Sequence, residues 1–223
     1  MGRSVVSKPR QSSGALGNEA EITLGLLNAI YENSSVTQRS AAVELGIALG
    51  LVNTYLKRCV KKGWVKVAQA PANRYLYYLT PHGFAEKSQL TQQYLSISFN
   101  FFRDARRQCS ELFALSVENG WSRIALHGVS DLAEIATLCA REYSISLIAV
   151  IDPTSAGGNV GDIPIVKDFQ SAKNAGGGID AVILTDLNNP QDGFDALTRH
   201  LPVERILAPS ILNISRTPQV LME

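Results

Sequence analysis

Residues 36–62 read VTQRSAAVELGIALGLVNTYLKRCVKK, and this stretch decides the fold of the first part of the chain. Thr37 is placed to cap a short helix over Thr37–Leu45, whose apolar residues Ala41, Ala42 and Leu45 recur at helical spacing. Gly46 breaks that helix. A second apolar series then runs through Ile47, Leu51, Val52, Tyr55, Leu56, Cys59 and Val60, in steps that define one buried helical face. Two short helices around a tight glycine turn predict a helix-turn-helix. The opposite face of the second helix carries Gly50, Asn53, Thr54, Lys57, Arg58 and Lys61, polar first and cationic later. Short polar groups reach base edges and cations meet phosphates, so this order suits a helix lying in a major groove. An ordinary solvated face accounts for the same residues.

The continuation favours the first reading. After Gly63, Trp64 to Val67 alternate as a strand does, AQAPAN supplies a turn-rich tip, and Arg74 to Leu79 return as a second strand. A hairpin directly after a helix-turn-helix predicts a wing, with Arg74 at its end near a minor groove or the flanking backbone. The pattern TQRSAAVELGIALGLVNTYLKRCVKKGWVK, followed by YLYYLTPHG, resembles the winged-helix domain of MarR-type regulators associated with exopolysaccharide synthesis. The resemblance implies a dimeric DNA-binding transcription regulator of surface-polysaccharide genes. Its implied contacts are Thr37, Gln38, Arg39, Gly50, Asn53, Thr54, Lys57, Arg58 and Arg74. Asn53 and Thr54 meet bases in this reading, and the cations meet phosphates.

Charge divides the 223 residues in two. Residues 1–107 hold 14 Lys and Arg against 6 Asp and Glu, and residues 108–223 hold 7 against 14. A basic half suited to a polyanion, joined to an acidic half that DNA would repel, argues for two domains with different tasks. Cys59, Cys109 and Cys139 are widely spaced in apolar patterns and read as buried thiols of a reducing cytoplasm. Arg3, Lys8 and Arg10 precede no apolar segment, so no secretion signal is expected, and a cytoplasmic protein follows.

The expected organisation is a flexible arm over residues 1–18, a winged helix over 19–83 and a connecting or dimerising helix over 84–120. A ligand-sensing α/β domain over 121–215 completes it. Glu19 to Glu32 supplies a supporting helix through Ile22, Leu24, Leu26, Leu27, Ile30 and Tyr31. Thr80 and Pro81 announce the long helix, whose aromatics pair with a second copy or pack on the chain's own second domain. Beyond Trp121, a strand ending in Gly128, a helix, a strand with no polar face over Ser146–Asp152, a further strand Ile179–Thr185, a helix over Asp192–His200 and a last strand near Arg205 predict an open parallel sheet of the Rossmann kind.

Ligands of such sheets sit beyond the strand tips. The first tip, Gly128, Val129, Ser130, Asp131, Leu132, Ala133, matches a GxGxxA turn except that Ser130 replaces the central glycine, and Asp131 adds a charge that repels phosphate. Asp152 lies about two dozen positions on, where an acid accepts ribose hydroxyls. Thr185, Asp186 and His127 could line the same crevice, and a sheet kept for assembly without a ligand fits the pattern too. Residues 123–166 are similar to the Rossmann-like nucleotide-binding portion preceding sugar-nucleotide-modifying domains of polysaccharide biosynthesis proteins, matching at Gly128, Asp152 and GDIPIV, Gly161–Val166. That resemblance implies a nucleotide or sugar-nucleotide effector held by Gly128, Ser130, Asp131, Leu132 and Asp152. A second resemblance, to the redox-sensing repressor Rex, implies NAD, with the missing glycine against it. His82, His127 and His200 have no neighbours spaced for a triad or a metal, so neither catalysis nor a metal is expected. The competing class is an enzyme, or an adaptor or sugar-nucleotide-binding protein, whose winged helix contacts protein instead of DNA.

Overall fold

The computed structural model describes residues 17–71 and 74–216, and the chain divides into two compact units, Met1–Asn100 and Phe101–Glu223. Most of the expected arm, residues 1–16, and part of the wing tip lie outside the described residues.

In the first unit, α1 spans Asn18–Glu32, with Gly17 as N-cap, so the helix starts inside the segment read as arm. It buries Ile22, Leu26, Leu27 and Ile30. Tyr31 instead stays outside, its ring 6.0 Å from that of Phe84 and under the Lys87 ammonium at 4.7 Å. Helix α2, Gln38–Leu45, begins with a reciprocal cap in which Thr37 Oγ1 accepts from Ser40 N and Ser40 Oγ accepts from Thr37 N. It ends at Gly46, φ 65°, with Ile47 N donating to the Ala42 carbonyl. Helix α3, Leu49–Lys61, buries Val52, Tyr55, Leu56 and Cys59. Leu51 and Val60, read as part of that face, are exposed because they fall on its two flanks.

The wing is an antiparallel pair, β1 Val65–Ala70 and β2 Arg74–Leu79, in register from Val65 opposite Leu79 to Ala70 opposite Arg74. Strand β1 runs three residues further than its alternation suggested, into the stretch read as tip. At its base Val65 and Tyr77 are buried, and Tyr77 N donates to the Ser34 carbonyl, tying the wing to the end of α1. Helix α4, Pro81–Glu118, opens on Thr80, which accepts from Gly83 N at 3.0 Å and donates to the Gly63 carbonyl at 2.6 Å. A Cβ at Gly83 would stand 1.9 Å from the Trp64 carbonyl oxygen, so only glycine lets this helix start against the strand entry.

The second unit takes in α4 from Phe101 onward: Ala105, Cys109 and Phe113 are fully buried in its core. That is why the compact unit begins well before Trp121. Its strands are β3 Arg123–His127, β4 Ser146–Ile151, β5 Asn159–Val160, β6 Ile163–Val166, β7 Ala181–Leu184 and β8 Ile206–Leu207. They form one sheet in the order β5-β6-β4-β3-β7-β8. All neighbours are parallel except β5 and β6, so the sheet is mixed rather than purely parallel. Helices α5 Asp131–Ala140, α6 Phe169–Ala175 and α7 Pro190–Leu197 alternate with the strands. The sequence reading missed α6 because its seven residues complete barely two turns of pattern. Asp180, before β7, accepts from the backbone of Ser122 and Arg123 and from the Arg123 guanidinium, at 2.8 Å to Nη2. This clamp joins the start of the central strand to its neighbour. Among the described residues no helix is long and apolar enough to cross a membrane.

Candidate nucleic-acid interface

The helix-turn-helix and wing fix what the first unit offers outward. With Val52, Tyr55, Leu56 and Cys59 buried, the 100° step of the helix turns Gly50, Thr54, Lys57 and Lys61 directly away from the core. All four are exposed, and Asn53, at the edge of this face, is half-buried. The Thr54 hydroxyl donates to the Gly50 carbonyl at 2.9 Å, so its proton is taken up by the helix itself. Arg58, read as a phosphate contact, is paired with Glu19 of α1 at 3.0 Å. The pair is solvent-exposed on both sides, so a phosphate can exchange for the carboxylate at small cost.

On α2, Arg39 is exposed and Gln38 half-buried, whereas Thr37 is engaged in the cap. Arg74 is exposed at the first position of β2. Lys66, exposed across from Tyr78 on the wing, and Lys61 extend the cationic surface. The sequence reading left Lys66 out; strand alternation after Trp64 already turns it away from the buried Val65. Lys62 differs from these, its ammonium standing 4.1 Å over the Trp64 ring. His82 contributes only an edge-on contact with Trp64, centroids 6.5 Å apart.

In the second unit, the β3 tip brings together the residues read as a ligand site. Gly128 has φ +100°, and a Cβ there would lie 2.5 Å from Asp186 Cβ, so the turn requires glycine twice over. The turn's own side chains occupy its donors. Asp152 accepts from Val129 N at 3.0 Å, from Thr154 N at 2.9 Å and from Thr154 Oγ1 at 2.7 Å. Ser130 Oγ accepts from Leu132 N and Ala133 N at the start of α5 and donates to the Thr185 carbonyl. The Thr185 hydroxyl, fully buried, lies 2.6 Å from the Gly128 carbonyl oxygen. Asp186 accepts from Asn188 N at 2.8 Å in its own turn, and Asp131 is exposed.

Burial pushes the Asp152 carboxyl up, but bonds from Thr154 and Val129 outweigh it and hold the group below the usual carboxylate range. His127 is pushed down by burial, against the pull of Asp186 and Asp152. Its Nδ1 is buried with no partner among the described residues, and Gly193 of α7 packs against the ring. His200 stacks on Phe169 at 5.0 Å. No cluster of three or more metal-ligating side chains occurs among the described residues.

Residues 19–66 match the winged helix-turn-helix DNA-binding family, which agrees with the geometry of α1, α2, α3 and the first wing strand. The first unit therefore contains a winged helix-turn-helix of the kind that family describes, over residues 19–66 and the returning wing strand. Among solved structures, the chain is similar to the regulator PcaV of Streptomyces coelicolor in complex with its natural ligand, with 18% identity and a TM-score of 0.35. That match covers 41% of this chain and 64% of PcaV. MarR of E. coli in its apo form is 26% identical with a TM-score of 0.31, over 35% of this chain and 63% of MarR. The DNA-binding protein Sso10a-2 of Sulfolobus solfataricus is 23% identical with a TM-score of 0.35, over 44% of this chain and 96% of that one. The chain thus spans less than two thirds of PcaV and of MarR. Comparison with curated proteins returns no match.

Proposed function

We propose that this chain is a sequence-specific DNA-binding transcription regulator that acts as a homodimer. The observation that carries the reading is the outward face of α3, where small and polar residues lead and Lys57 and Lys61 follow, inside a helix-turn-helix with a wing. DNA contacts fall to Asn53 and Thr54 at bases and to Arg39, Lys57, Arg58 and Arg74 mainly at phosphates, with Thr37 and Gln38 at the start of α2 and Gly50 on α3 beside them. Two copies present two recognition helices to a palindrome, whose half-site spacing then reports the dimer.

The acidic second unit is a Rossmann-like regulatory domain for a nucleotide or sugar nucleotide, and the genes controlled are those of surface polysaccharide. Support for the fold comes from the strand order β6-β4-β3-β7-β8, which reverses at β3 and β7 as dinucleotide-binding sheets do. Gly128, Ser130, Leu132 and Asp152 stand at that switch point. A second reading, in which the sheet serves assembly and takes no ligand, is favoured by the internal bonds of Asp152 and Ser130.

Selection of random duplexes by the full chain, at physiological and at raised salt, tests both levels. An enriched palindrome is the expected result, and the affinity for it should change on adding nicotinamide or sugar nucleotides. Absence of enrichment at either salt would overturn the regulator reading, and unchanged affinity with every nucleotide would overturn ligand sensing alone.

A further inference from the structure

The opening turn of α3 is unusual for a solvated helix end. Leu49 and Leu51 are 46% and 39% exposed on either side of Gly50, and a Cβ at Gly50 would meet nothing. None of the three side chains can form a hydrogen bond. One turn on, the Thr54 hydroxyl donates to the Gly50 carbonyl, so outward it presents a methyl group and an oxygen lone pair. Asn53 is the one amide side chain in the helix, and Lys57 and Lys61 continue the same face. A single exposed leucine needs no explanation. Here, though, the apolar residues stand where the second helix of a DNA-binding motif enters the groove, with cations behind them.

We propose that α3 reads the 5-methyl groups of thymine. Leu49 and the Thr54 methyl lie against these groups, and the missing side chain of Gly50 lets the helix approach the base edges. Lys57 and Lys61 hold the backbone phosphates. Thymine alone among the four DNA bases carries a methyl in the major groove, so apolar contact there separates T from C. Asn53 complements this, because an amide pairs with the N6 and N7 edge of adenine. The preferred duplex is therefore rich in A·T pairs, chosen by methyl burial as much as by hydrogen bonding. The inference rests on the winged helix acting as a DNA reader.

Two pairs of synthetic duplexes differ in this methyl group: poly(dA-dT) against poly(dA-dU), and poly(dG-dC) against its 5-methylcytosine form. Binding of the full chain to all four is measured at one salt concentration. Each methyl withdrawn from water contributes about fourfold in affinity, so the methylated member of each pair should bind at least that much more tightly. Leu49→Ala, which leaves the core untouched because Leu49 is exposed, should remove most of the difference while keeping the salt dependence. Equal affinity within both pairs would overturn methyl reading and leave DNA binding standing. Binding to none of the four would overturn both.

Discussion

Gly83 gives a prediction whose sign separates two physical effects. It lies in the first turn of α4, and replacing a helical glycine with alanine ordinarily stabilises by about 1 kcal/mol. Here a Cβ would stand 1.9 Å from the carbonyl oxygen of Trp64 and 2.7 Å from its carbonyl carbon. Both contacts are to backbone, so no side chain can swing aside, and α4 must move by more than an ångström. Overpacking of this kind costs about 1–3 kcal/mol. The movement also stretches the bonds from Thr80 N to Trp64 O and from Thr80 Oγ1 to Gly63 O, about 1 kcal/mol each. The balance for Gly83→Ala is a loss of about 2–4 kcal/mol, or roughly 1–3 M in urea midpoint for a unit of this size. Trp64 fluorescence in a Trp121→Phe background reports the first unit, since Trp64 is buried in it and Trp121 packs on the second core. Gly50→Ala is the control: nothing surrounds its Cβ, so the same substitution should stabilise, by about 0.5 kcal/mol. A Gly83→Ala midpoint equal to or above that of the parent would refute the steric argument.

Lys57→Ala and Lys61→Ala should each weaken DNA binding at every sequence and lower the salt slope by about one, whereas Asn53→Ala should alter the preferred site; slopes that stay constant remove those lysines from the backbone contact. His127 is held below its ordinary range, so the unfolded chain takes up its proton first. The contribution of neutral His127 to the stability of the second unit is fully present above about pH 6.5 and is lost as pH falls from there, and His127→Gln should flatten that slope in unfolding measured between pH 7 and 5. Asp180, lowered to about 2 by Arg123, contributes stability that is complete above about pH 4 and disappears as pH falls through 2. Asp180→Ala should cost about 2–3 kcal/mol in urea unfolding at neutral pH. Phe113→Ala, which empties a fully buried site, should cost about 3–5 kcal/mol, and a loss below 1 would place that ring outside the core.

The first unit was legible because its signals are local. Thr37 capping, the Gly46 break, the Val52–Cys59 stripe and the return strand from Arg74 each depend on neighbours within a turn or two. The readings of Leu51, Val60 and Tyr31 as buried failed because a stripe has edges, and which flank is covered depends on packing partners far along the chain. For residues 101–118 the sequence left open pairing with a second copy and packing on the chain's own second domain, because periodicity shows that a helix has an apolar face and not what covers it. The strand-tip residues were found from spacing, yet spacing could not say that Asp152 and Ser130 bond to the turn's own backbone. Nor could it show Arg58 paired with Glu19, 39 residues away. Edge strand β5, at two residues, is too short to carry a pattern at all.

Cys59 lies 1% exposed in the first unit, and Cys109 and Cys139 lie 0% and 2% exposed in the second. Burial pushes the Cys59 thiol up to about 11 and, with Cys139 nearby, the Cys109 thiol up to about 12. At pH 8 a thiol at 11 is ionised in roughly one molecule in a thousand, against roughly one in four for free cysteine. Alkylating reagents therefore reach these sulfurs through transient opening, at a rate set by how often each unit exposes its interior. The chain so carries its own pair of chemical clocks, one per unit. Mass spectrometry of labelled peptides can time the breathing of the DNA-binding domain and of the acidic domain separately, in one tube and without added probes.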